Sequence, residues 1–264
     1  MPVSMDPLPD ATAASALAIA EAYAIDADPQ HMLACPPGYG YSGIAWTGAG
    51  HGGSPRTFGL GFQREGTLLL AFRGTAEISD LLADLHWREA PFRGPADGTQ
   101  ALVTLMGVEG FEDVYRSMRT AVRDIVATVR PERLHLAGHS LGAALATYLC
   151  VDLLLDAQPR ARHIRLTSWA PPKPGNAPFA DVLRAHGAAG QVAATTLVNI
   201  HDIVPKYPFS SDYLHPFPPT FLDFGNPLDI LGNHHLAHYL HAYRQSWVHR
   251  APEGAHSTPR GLPA

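Results

Sequence analysis

Cysteine is scarce: the chain has two, Cys35 and Cys150, in 264 residues. Two thiols cannot build the disulfide framework that holds small secreted scaffolds, so stability has to come from a hydrophobic core. Charge is thin as well, at 16% of residues with a formal net charge of −5. A mildly acidic chain without a basic run offers no footprint for nucleic acid. No apolar stretch is long enough to span a bilayer. No basic segment followed by an apolar core marks a secretory signal, which makes the cytoplasm the default location and leaves secretion open. What the chain does have is apolar mass. Hydrophobic residues make up 46%, enough for one sizeable core. With no internal repeat and no linker-like stretch, residues 11–250 read as a single domain, and 1–10 and 251–264 as flexible tails.

Apolar periodicity gives the order of elements. Ala11 to Ile25 reads as a helix. Gly43–Thr47, Thr57–Gln63 and Thr67–Phe72 read as strands, and the unbroken run Leu68-Leu69-Leu70-Ala71-Phe72 places the third centrally. Phe111–Val129 is a helix ended by Pro131. A strand at Leu134–Ala137 leads through Gly138-His139-Ser140-Leu141-Gly142 into a helix, Leu141–Leu155. Strand Ile164–Trp169, helix Phe179–His186, strand Thr195–Ile200 and helix His234–Trp247 complete the pattern, with 206–233 irregular. Alternating strands and helices imply a mostly parallel central sheet with helices on both faces.

The turn at Ser140 is the richest stretch. G-x-S-x-G between strand and helix exposes a serine oxygen at a helix N-terminus, where unpaired N–H groups favour negative charge. An ordinary glycine-serine turn is the plain alternative. A serine nucleophile needs a base, and the base needs an acid to orient it. Asp202 follows an apolar strand, where open α/β sheets put their chemistry; a turn-capping aspartate is its other reading. For the base, the cluster Asn233–His241 offers four histidines: His234, His235, His238 and His241. His234 and His238, four apart on a helix, could share a metal ion. No cysteine or carboxylate cluster completes such a set, so no metal or cofactor is expected. Oxyanion donors would be the N–H of Leu141 and that of Thr75, on the loop after the central strand. Beyond that loop, Ile78, Leu81, Leu82 and Leu85 mark one face of a helix, either packed on the core or a movable cover.

Five segments together resemble the class 3 lipases, an α/β-hydrolase family of fungal triacylglycerol lipases and plant acyl-lipid hydrolases. They are Leu70–Thr75, Gly138–Ala143, Trp169–Asn176, Asn199–Pro205 and Asn233–Tyr239. The third departs from the family's pattern, with Ala170 and Lys173 where glycine and arginine are usual. The resemblance implies a carboxylic ester hydrolase, most simply a triacylglycerol lipase, with Ser140 as nucleophile, Asp202 as acid, and Thr75 and Leu141 as oxyanion donors. His234 maps onto the base through H-x-L-x-x-Y, and His235 is the runner-up. The resemblance also casts Ile78 to Leu85 as a lid in transient contact with a lipid interface. An esterase, a phospholipase or acyltransferase with the same triad, and a non-catalytic hydrolase-fold binding protein are the other readings.

Overall fold

The computed structural model describes residues 11–49, 54–75, 88–92, 106–156 and 161–248. Both tails and the lid segment 78–85 lie outside them. In chain order the elements are α1 (Ala11–Ala27), β1 (Gly40–Ala49), β2 (Pro55–Arg64), β3 (Thr67–Phe72), β4 (Glu89–Pro91), β5 (Met106–Val108), α2 (Glu109–Val129), β6 (Arg133–His139), α3 (Leu141–Leu154), β7 (His163–Trp169), β8 (Gly175–Asn176), α4 (Ala177–Ala188), β9 (Val192–Asn199), β10 (Tyr213–Leu214), β11 (Thr220–Leu222) and α5 (Leu236–Val248).

The main sheet runs β1-β2-β3-β6-β7-β9-β11. Its first three strands form an antiparallel meander. From β3 onward every neighbour is parallel. This is the mostly parallel sheet expected from the sequence.

Strand alternation explains why β3 is apolar throughout. Leu68, Leu70 and Phe72 face one core with Leu134, Leu136, Tyr115, Met118, Leu145 and Tyr148. Leu69 and Ala71 face the other, with Ala18, Ile19, Ala22, Ala137, Trp169 and Tyr239. Successive side chains on a strand point to opposite faces, so a strand covered on both must be apolar at every position. Helices α2, α3 and α4 cover the first face, and α1 and α5 the second. The alanines of α1 let its backbone lie close over β2, β3 and β6. Cys150 is a buried core residue and Cys35 is exposed, both as free thiols.

Two features differ from the sequence reading. The segment after 206 is not wholly irregular: β11 pairs with β9, and β10 joins β8, β5 and β4 in a second, four-stranded sheet. Strands of two or three residues show no readable period, which is why the sequence hides them. The last helix begins at Leu236 rather than His234. His234 instead closes a 3-10 turn, Gly232–His234, and His235 is extended at φ −67°, ψ 127°. The Asp229 carboxylate takes the Gly232 N–H at 2.8 Å and its carbonyl takes the Asn233 N–H at 2.9 Å. These bonds tighten the turn and hold His234 apart from the helix.

Candidate active site

The site forms where β3, β6 and β9 end. Strand β6 delivers Ser140, whose backbone is left-handed at φ 56°, ψ −132°. A non-glycine residue there is strained, and such strain persists only where the surroundings impose it. The surroundings are visible at the flanking glycines. A Cβ on Gly138 would lie 2.2 Å from the Gly142 carbonyl oxygen, and one on Gly142 would lie 2.4 Å from that of Phe72. Strand, turn and helix are therefore too close for any side chain at either position. Ser140 is buried, and its N–H extends the sheet ladder to the Trp169 carbonyl at 3.0 Å.

The β3 loop presses against this turn. A Cβ on Gly74 would meet Ser140 Cβ and the His139 carbonyl oxygen, each at 2.8 Å. Thr75 thus directly follows a residue in contact with the serine, and Leu141 is the first residue of α3.

The residues expected as acid and base from the sequence lie in contact with each other. Asp202 lies just past β9, and both it and His234 are fully buried. His234 Nδ1 donates to Asp202 Oδ2 at 2.7 Å. The Tyr239 hydroxyl donates to the same oxygen at 2.8 Å, and the Val204 N–H donates to Oδ1 at 3.0 Å. Three donors thus converge on this one carboxylate and fix its orientation. Tyr239 is itself fixed by the Asn199 N–H, at 2.8 Å. With Nδ1 engaged, His234 Nε2 is buried and has no hydrogen-bond partner among the described residues.

His139 connects these parts. Its Nε2 lies 2.9 Å from the His234 carbonyl, which can only accept, so Nε2 carries the hydrogen. Nδ1 must then accept, from the Tyr23 hydroxyl at 2.9 Å. That hydroxyl in turn accepts the Gly74 N–H at 2.8 Å. Burial first, and the neighbouring His234 second, hold the His139 pKa well below its ordinary 6.5, so the ring stays neutral. It packs on the His234 ring with centroids 4.8 Å apart.

The histidine cluster resolves in space. His234 faces Asp202, whereas His235 is exposed and lies against His238. His238 Nδ1 bonds the Gly232 carbonyl, and His241 bonds Gln245. Among the described residues no group of three or more His, Cys, Asp or Glu is placed to hold a metal ion. Sequence reasoning missed the bracing by Tyr23 and Asn199. Tyr23 is 116 positions from His139, and nothing local marks it.

The sequence model of the family described as Lipase (class 3) matches residues 69–212, more than half of the chain. The chain belongs to the class 3 lipases. The match includes Thr75, Ser140, Leu141 and Asp202; His234 lies beyond it. Among curated proteins, the secreted mono- and diacylglycerol lipase A of Penicillium cyclopium is 30% identical over 164 residues, covering 60% of this chain and 49% of that protein. The chloroplastic phospholipase A(1) DAD1 of Arabidopsis thaliana is 28% identical over 156 residues, 53% of this chain and 33% of its own. The chain thus spans about half, or less, of the length of these relatives. Among solved structures, Lip2 lipase from Yarrowia lipolytica has a TM-score of 0.65 at 17% identity, covering 84% of this chain and 90% of that one. The likeness shows the α/β-hydrolase fold. The cytoplasmic default finds no support among these relatives, one of which is named as secreted. No helix among the described residues is long and apolar enough to cross a membrane.

Proposed function

We propose that this class 3 lipase hydrolyses carboxylic esters of acylglycerol type through Ser140, His234 and Asp202. One observation carries the reading: a buried histidine whose Nδ1 is fixed by a buried aspartate, with Nε2 unpartnered, packed against the strained turn that holds Ser140. His234 Nε2 takes the Ser140 proton as Oγ attacks the ester carbonyl. The tetrahedral oxyanion is held by the N–H groups of Thr75 and Leu141. His234 returns the proton to the leaving alcohol, giving an acyl-serine. Water, deprotonated by the same nitrogen, then releases the carboxylic acid. Asp202 keeps the hydrogen on Nδ1 and stabilises the imidazolium in each half-reaction. Every step uses groups of this chain and needs no cofactor.

An apolar substrate suits the exposed apolar residues that precede His234 in the chain. Leu228, Ile230 and Leu231, on the segment that leads into His234, are exposed, Leu228 at 92%. The acylglycerol class rests on the names of the relatives, and one of them, a phospholipase A(1), makes a diacyl phospholipid the second candidate. The test has two arms. A fluorophosphonate should label Ser140 alone, by peptide mapping, and abolish hydrolysis. A panel of mono-, di- and triacylglycerols beside phosphatidylcholine should show acylglycerol turnover at least tenfold faster. Faster phospholipid cleavage would move the substrate class. An unlabelled Ser140 in a chain that turns over no ester would make this a non-catalytic hydrolase-fold protein.

A further inference from the structure

The oxyanion loop is held by an ion pair that neither half-reaction uses. Arg73, the residue after β3, is 3% exposed. Its guanidinium is divided among three acceptors. Nε donates to the Thr57 carbonyl at 2.6 Å. Nη2 lies 2.9 Å from Asp26 Oδ2, on α1. Nη1 donates to the Gly74 carbonyl. The cation also lies over the Phe58 ring, 4.7 Å from its centroid. Asp26 is fixed from its other side by Arg56, at 3.0 and 2.6 Å, and by the Thr57 N–H at 3.1 Å.

The Gly74 carbonyl belongs to the same peptide unit as the Thr75 N–H. That unit is planar and trans, so its N–H points opposite to its carbonyl. A cation clamped on the oxygen therefore sets the direction of the N–H at the other end. It also draws electron density toward the oxygen, which makes the N–H a stronger donor. The preceding peptide is fixed too, by its N–H on the Tyr23 hydroxyl at 2.8 Å. Gly74 meanwhile rests against Ser140 Cβ.

We propose that Arg73, held by Asp26, is a positioning residue for catalysis: it aims and polarises the Thr75 N–H toward the oxyanion formed at Ser140. The proposal rests on the serine-hydrolase reading above. It makes α1 part of the catalytic apparatus, because Asp26 and Tyr23 lie within its last two turns.

The test is kcat and KM on a soluble p-nitrophenyl ester, together with affinity for an alkyl trifluoromethyl ketone. That ketone adds to a serine as a hemiketal oxyanion and reports the donor directly. Arg73→Lys keeps the charge but cannot reach three acceptors at once. It should lower kcat about 10- to 100-fold, leave KM within about threefold, and weaken the ketone by the same factor as kcat/KM. Arg73→Met should approach the hundred- to thousandfold loss typical of a missing oxyanion donor. Asp26→Asn should fall between wild type and Arg73→Lys. Arg184→Gln, in an exposed pair with Asp181 on α4, is the control and should stay within about twofold of wild type. If Arg73→Met fails to fold, Arg73→Lys and Asp26→Asn decide. Folded variants with unchanged kcat and ketone affinity, or a raised KM at constant kcat, would overturn the proposal. A wild type that neither turns over ester nor binds the ketone at Ser140 would instead sink the serine-hydrolase reading, and this inference with it.

Discussion

Replacing Gly142 with alanine probes the site by a single methyl group. A Cβ there would stand 2.4 Å from the Phe72 carbonyl oxygen and 2.5 Å from that of Arg73. Both are backbone atoms, so no side chain can turn aside. Ordinary carbon–oxygen contact begins near 3.4 Å, so the end of β3 and the first turn of α3 must part by about 1 Å. That shift falls on Gly74 and Thr75, immediately downstream. A misplacement of about 1 Å costs on the order of a hundredfold in rate, and complete loss of an oxyanion donor a hundred- to thousandfold. Gly142→Ala should therefore lower kcat on a soluble ester about 100-fold. Overpacking should also cost about 1–3 kcal/mol of stability, read from urea unfolding. Gly40→Ala is the control: no atom lies within 4 Å of its Cβ, and kcat should stay within about twofold. A folded Gly142→Ala protein with kcat within about fivefold of wild type would refute the close approach of β3 and α3 on which the oxyanion geometry depends.

Tyr239→Phe removes one of three donors to Asp202 and leaves the buried Asn199 N–H without its acceptor. The loss should be about 1–3 kcal/mol in urea unfolding, with kcat down about tenfold and KM little changed. Asp152→Asn breaks the buried link between α2 and α3, where one carboxylate takes Tyr115, Arg119 and Arg123. It should cost about 3–5 kcal/mol, with kcat unchanged below the melting transition. Burial keeps two histidines neutral in the fold: His135, pushed down to about 3, and His139, held well below 6.5. In the unfolded chain both bind protons below about pH 6.5, so the unfolded state gains protons that the native state refuses. Stability is then complete above that pH and falls as pH drops from about 6.5 toward 5, on the order of 2–3 kcal/mol per pH unit for the pair. Urea midpoints that stay level between pH 7 and 5 would contradict this.

How much of this was legible in the sequence depended on the distance over which each feature is built. The central strands were legible because β3 and β6 are covered on both faces and must be apolar throughout. The turn at Ser140 was legible because backbone crowding forces glycine at two fixed positions within five residues. The base was not. Four histidines within eight residues share one local chemistry, and only packing separates buried His234 from exposed His235. The helix start was misplaced for a related reason. The carboxylate and carbonyl of Asp229 close a 3-10 turn that hydrophobic periodicity cannot register. Least legible was the bracing of the loop after β3, since Tyr23 and Asp26 reach Gly74 and Arg73 from about fifty residues away.

The most direct test of the proposed chemistry is kcat/KM on one soluble ester for Ser140→Ala, His234→Ala and His235→Ala, each shown to be folded by circular dichroism. Losses of at least about a thousandfold are expected for Ser140→Ala and His234→Ala, and a change of less than about threefold for His235→Ala. Retained hydrolysis in Ser140→Ala, or a larger loss in His235→Ala than in His234→Ala, would contradict that chemistry.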